Sequence, residues 1–166
     1  MPYTFASSQI LLLAAEVELA SAAFYRNLSA ASDGLPAGAV FATLSGQEAA
    51  HERSFRAMAK TFKARDVVHE YSIDLYADMK HTLENLKSQA FPEKPADKPQ
   101  GLEEALLVAL AAEESAVTAY THMRDAFSAD YEAVLDGIIH VENDHYRMVR
   151  GLKERLDILA RPGAPE

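Results

Sequence analysis

This sequence predicts an all-α protein: four long helices packed as two hairpins, with one further helix in the long connection between them. Three observations predict it. Helix formers dominate the 166 residues and strand signals are weak throughout. Apolar residues recur at steps of three and four in four separate stretches, the rhythm of a helix that buries one face. The chain also repeats itself: Glu18-Leu-Ala-Ser-Ala-Ala-Phe-Tyr25 returns as Glu113-Glu-Ser-Ala-Val-Thr-Ala-Tyr120, and Glu48-Ala-Ala-His51 as Glu142-Asn-Asp-His145. The offset is 95 residues for the single Glu and 94 for both ends of Glu-x-x-His, so one hairpin is repeated almost in register.

Helices are expected at 5–32, 37–63, 73–90, 101–127 and 131–159. Asp33-Gly34-Leu35-Pro36 punctuates the first hairpin, and the stretch Phe91 to Gly101, with three prolines, separates the two halves. A softer break at Ser128-Ala129-Asp130 offers helix-capping side chains. The length suits one domain over residues 1–160, with 161–166 as a frayed tail.

Composition narrows the chemistry. Hydrophobic residues make up 49% of the chain, enough for a real core. With no Cys, disulfides, thiolate nucleophiles and thiolate-held clusters are excluded, so any metal must be held by carboxylate, imidazole or backbone oxygen. A net charge of −9 argues against nucleic acid and against anionic membrane surfaces, and makes cations the natural partners. The apolar run Ile10 to Ala15 is short and is followed by Glu16 and Glu18, so no signal peptide or membrane span is expected and a cytoplasmic protein is the default.

The apolar seams carry charges. The second helix presents Leu44, Glu48, His51, Phe55, Met58 and Phe62. The last presents Ile138, Glu142, His145, Val149, Leu152, Leu156 and Leu159. The first offers Leu11, Glu18, Ala22 and Tyr25, and the fourth Leu106, Leu110, Glu113, Val117 and Tyr120. Four carboxylates and two imidazoles thus fall on faces that should be buried, where an unpaired charge is costly and like charges repel. No Lys or Arg shares these seams near them. Two divalent cations would neutralise the four carboxylates. Residues i and i+3 lie about 4.5 Å apart along one helix face, so each Glu-x-x-His can grip one ion. Each single Glu is also about as far from its hairpin turn as its Glu-x-x-His partner, which brings them to one height. The motif by itself is weak: 15 Glu and 6 His in 166 residues supply about 0.5 Glu-x-x-His by chance. Its phase on the seams, the single Glu upstream and the repeat favour a dimetal site over ordinary polar layers in a bundle.

This pattern resembles the ferritin-like superfamily and, within it, the rubrerythrin-like proteins. The match is carried by Glu18, Glu48, His51, Glu113, Glu142 and His145, and by a Tyr seven residues after each single Glu, Tyr25 and Tyr120. It covers about residues 5–62 and 101–155. The resemblance implies a four-helix bundle with a long crossover, two metal ions per chain, iron first with Mn or Zn as alternatives, and bridging by Glu48 and Glu142. It further implies reaction with O2 or peroxide, fed by an electron donor of unknown identity. Three departures stand out. There is no Cys for a rubredoxin module, the extra Glu of rubrerythrins one turn after the third bundle helix's ligand is Ala116 here, and the 65 residues from Glu48 to Glu113 exceed the usual spacing. The excess holds the helix at 73–90, which could supply the crossover or cover one end of the bundle.

Our assignment places one metal with Glu18, Glu48 and His51 and the other with Glu113, Glu142 and His145. Tyr25 and Tyr120 either hydrogen-bond ligand carboxylates or act as redox-active phenols, the catalytic candidates; the plainer alternative is two core tyrosines. Glu114 lies off the seam, and Glu16 and Glu52 face outward. His140 with Asp144, and Asp78 with His81, read as surface pairs, His69 and His122 belong to no constellation, and Met58, Met123 and Met148 read as packing. The expected function is that of a dimetal oxidoreductase, with a homodimer allowed. Ferroxidase and iron storage in a hollow shell is one alternative, and a helical interaction protein with a relic metal site is another.

Overall fold

Why the helices start and stop where they do is local chemistry. In the computed structural model, which describes residues 7–64, 73–90, 101–126 and 132–159, five helices follow one another: α1 (Ser7–Ala31), α2 (Pro36–Ala64), α3 (Ile73–Ala90), α4 (Leu102–Ala126) and α5 (Glu132–Leu159). Every expected helix is present, α3 with the expected bounds and the others with no end moved by more than two residues. The expected loops at 91–100 and 127–131, the tail 161–166 and His69 lie outside the described residues. α2 begins on Pro36, whose missing N–H costs nothing at a helix start. Before it, Gly34 takes a left-handed φ of 77° that ends the turn from α1. Gly38 is required for a different reason: a Cβ there would stand 2.5 Å from the carbonyl oxygen of Ser32.

α1 packs along α2 and α4 along α5, giving two antiparallel hairpins, and α2 meets α5 across the bundle. α3 lies against both α1 and α4. It buries Met79, Leu83 and Leu86, spaced i, i+4 and i+7. α3 therefore flanks the bundle beside the first half of α1, sharing a core cluster with Ile10, Leu11, Ala14, Ala15 and Val17.

The apolar core divides into two clusters. One joins the start of α1 (Ile10, Leu11) to the end of α2 (Phe55, Met58, Phe62), the end of α4 (Tyr120, Met123), the start of α5 (Leu135, Ile138) and α3. The other joins Tyr25, Phe41, Leu44, Leu106 and Val149. The hairpin turns therefore sit at opposite ends of the bundle. The expected seams hold except on α4, where Leu110 and Val117 are only half-buried, and at the far end of α5, where Leu152 and Leu156 are half-buried and Leu159 is 69% exposed. α4 is buried more widely than one seam, because Ala112 and Ala119 also meet the cluster that contains α3. Among the described residues, Ser8–Ala31 has the length and hydropathy of a membrane span, which the short apolar run had not suggested. Half of its most apolar window is buried inside the bundle, as in a core helix.

Candidate metal centre

Between the two apolar clusters lies a belt of six buried ionisable side chains, one or two from each long helix. Glu18 stands in the middle of α1, Glu48 and His51 of α2, Glu113 of α4, and Glu142 and His145 of α5, all buried. The helical i, i+3 spacing puts each imidazole beside its own Glu: His51 Nδ1 is 3.3 Å from Glu48 Oε2, and His145 Nδ1 is 3.3 Å from Glu142 Oε2. Packing of the hairpins adds the rest. His51 Nδ1 also lies 3.5 Å from Glu18 Oε2 and 2.7 Å from Glu142 Oε1. His145 Nδ1 lies 3.2 Å from Glu48 Oε1 and 3.6 Å from Glu113 Oε2. The two rings are nearly parallel, 5.5 Å between centroids.

Two overlapping groups of potential ligand atoms result: Glu18, Glu48, His51 and Glu142, and Glu48, Glu113, Glu142 and His145. Glu48 and Glu142 belong to both, and each turns one oxygen to each imidazole. The outer carboxylates are held from across the bundle. The Tyr25 hydroxyl of α1 donates to Glu113 Oε1 of α4, and the Tyr120 hydroxyl of α4 donates to Glu18 Oε1 of α1. Both tyrosines are fully buried. The sequence placed them on the right seams but could not show that each serves the opposite hairpin.

The electrostatics are those of a crowded acid cluster. Burial and the nearby charges of Glu142 and Glu48 push the Glu18 carboxyl well above the usual range. Burial also lifts Glu113, to about 8. Burial opposes ionisation of Glu48 too, but the imidazoles of His145 and His51 outweigh it and hold this carboxyl low. Burial would lower both imidazoles, yet the surrounding carboxylates push His51 and His145 up to about 12. Burial and Glu113 raise the Tyr25 phenol well above its ordinary value.

These contacts do not satisfy the site. Glu48 Oε2, His51 Nδ1, Glu142 Oε1 and His145 Nδ1 are buried without a hydrogen-bond partner, even where an imidazole and a carboxylate stand 2.7 Å apart. Once the imidazoles give up their protons, these nitrogens and oxygens, all within 4.8 Å of one another in each group, offer converging lone pairs, the condition for a cation. Oxygen-rich groups with one imidazole each fit a first-row transition ion or zinc.

Other expectations are placed as well. Glu16 is exposed and pairs with Lys87 of α3, while Glu52 is only half-exposed, against Arg56. Glu114 and His122 are exposed. His140 and Asp144 form an exposed pair 3.6 Å apart, and exposed His81 meets Asn85. Met58 and Met123 are core residues and Met148 packs against the core. Leu86 and Ala112 were not singled out by the sequence. With Glu18, Ser21, Glu113, Ala116 and Glu142 they line a cavity of about 10 Å³, room for about one water molecule, beside the carboxylates. The i, i+4, i+7 apolar face of α3 was the available signal.

Fold and site together define a ferritin-like helical bundle with a buried carboxylate–imidazole centre. The chain belongs to the rubrerythrin family, whose model matches residues 9–153. Comparison with curated proteins gave no significant match, and neither did comparison with solved structures.

Proposed function

We propose that this protein binds two metal ions, iron foremost, and uses them to reduce O2 or hydrogen peroxide. The observation that carries the reading is the division of Glu48 and Glu142, each offering one oxygen to each of two ligand groups. One position would be held by Glu18 and His51, the other by Glu113 and His145, with Glu48 and Glu142 bridging. When bound and reduced, the two ions would supply two electrons: with two protons these convert hydrogen peroxide to two waters, or O2 to hydrogen peroxide. The chain's own residues prepare for this. Four carboxylates offset the charge of two divalent ions, and the imidazoles bind once they lose their protons. Tyr25 and Tyr120 position Glu113 and Glu18 and fix the oxygen each carboxylate leaves free. The apolar clusters on either side exclude bulk water.

Metal analysis after iron-replete expression, followed by anaerobic iron titration and addition of O2 or peroxide, tests the reading. About two ions per chain are expected from the two ligand groups. Glu48→Ala combined with Glu142→Ala should abolish uptake while the helical signal survives, because these residues serve both positions. Tyr25→Phe should keep the ions and slow oxidation. Undiminished iron in the double variant would overturn the assignment.

A further inference from the structure

Outside the small cavity, between α3 and α4, runs a groove of about 580 Å³ lined by Thr82, Asn85, Val108, Ser115 and Thr118 among others. Groove and cavity share two residues, Leu86 and Ala112. Leu86 is 5% exposed and Ala112 3%, so a single layer of side chains separates a solvent-facing groove from Glu18, Glu113 and Glu142. On the helix above and below the site the core is filled by large side chains, Tyr120 and Met123 on one side and Tyr25 and Phe41 on the other. The thin wall is where α4 presents alanines, at 112 and 116, to the crossover helix.

We propose that this groove is the entrance to the metal site and that Leu86 sets what may pass: small uncharged oxidants of the size of O2 and hydrogen peroxide. The inference rests on the dimetal reading. A leucine side chain has discrete staggered rotamers, and Leu86, lining both groove and cavity, would open the wall by moving from one to another. Exposed Glu114 adds an acid to the groove, which disfavours anions there. Thr82, Asn85, Ser115 and Thr118 give the groove polar but uncharged walls that suit a peroxide.

The gate can be read without metal. Ala112 and Ala59 are buried to nearly the same degree, 3% and 4%, but only Ala112 lies on the proposed path. In wild-type metal-free protein, paramagnetic relaxation of methyl protons by dissolved O2 should be several-fold stronger at Ala112 than at Ala59. Leu86→Ala should raise it further at Ala112 and Ala116 and leave Ala59 unchanged. Equal relaxation at Ala112 and Ala59 in the wild type overturns the proposal, whether or not the variant folds. In iron-loaded protein, oxidation by hydrogen peroxide and by tert-butyl hydroperoxide gives the size limit. Each takes two electrons and two protons and breaks its O–O bond, yielding two waters or water plus alcohol. Leu86→Ala should narrow the preference for hydrogen peroxide by about tenfold or more. An unchanged preference in Leu86→Ala overturns it. A protein that takes up no metal defeats the dimetal reading alone, since the methyl measurement still judges the gate.

Discussion

His51 and His145 are the residues on which pH acts most directly. Without metal, the carboxylates around them hold both imidazoles protonated far above their ordinary value, at about 12. A metal ligand must offer a bare nitrogen, so each ion that binds expels a proton. Glu113, raised to about 8, is also largely protonated at neutral pH and adds to the count. Metal uptake at pH 7 should therefore release more than about two protons per chain, and apparent affinity should rise with pH up to the imidazole values. Proton release into weakly buffered solution with an indicator dye measures this; uptake without release would mean the imidazoles are not ligands. The sign for the metal-free fold is opposite. A raised histidine value stabilises the fold fully below the unfolded value near 6.5, and that contribution fades as pH climbs towards 12.

At the scale of elements, the first hairpin turn depends on Gly38. In most helix interiors Gly→Ala stabilises by about 1 kcal/mol, and Gly46, with open space around it, should follow that rule. Gly38→Ala would instead drive a methyl into the backbone of Ser32, and should cost about 1–3 kcal/mol in chemical denaturation. A stabilised Gly38→Ala would show that the turn can yield. The same comparison explains what was legible beforehand. Period and repeat located α1, α2, α4 and α5 and the six polar residues on their seams, because burial of a helix face leaves a mark at every third or fourth position. The side of the bundle on which α3 rests left little trace. Its Leu86 lines one cavity with Ala112 and Ala116 of α4, and alanine carries almost no hydrophobic signal of its own. The crossed Tyr25–Glu113 and Tyr120–Glu18 bonds were unreadable for another reason: they depend on the angle between hairpins, which no local pattern encodes.

For the molecule as a whole, the repeated hairpins and their opposed turns place the four buried carboxylates and two imidazoles at mid-height, leaving a largely apolar half-core at each end. Besides the helices, among the described residues only the Tyr25–Glu113 and Tyr120–Glu18 hydrogen bonds described above cross that layer, in which Glu48 Oε2, His51 Nδ1, Glu142 Oε1 and both His145 nitrogens have no hydrogen-bond partner. Each half then has its own reason to melt. Stripped of metal by a chelator, the protein should lose its two ends in separate, overlapping steps, and scanning calorimetry should return a van't Hoff enthalpy below the calorimetric one. Ions seated across Glu48 and Glu142 would rivet the ends into one cooperative unit. Saturation at about a hundredfold excess over Kd adds about 2.7 kcal/mol per site and should lift the midpoint by several degrees while the two enthalpies converge. A single sharp transition in the stripped protein would mean the helices suffice to make the molecule melt as one body.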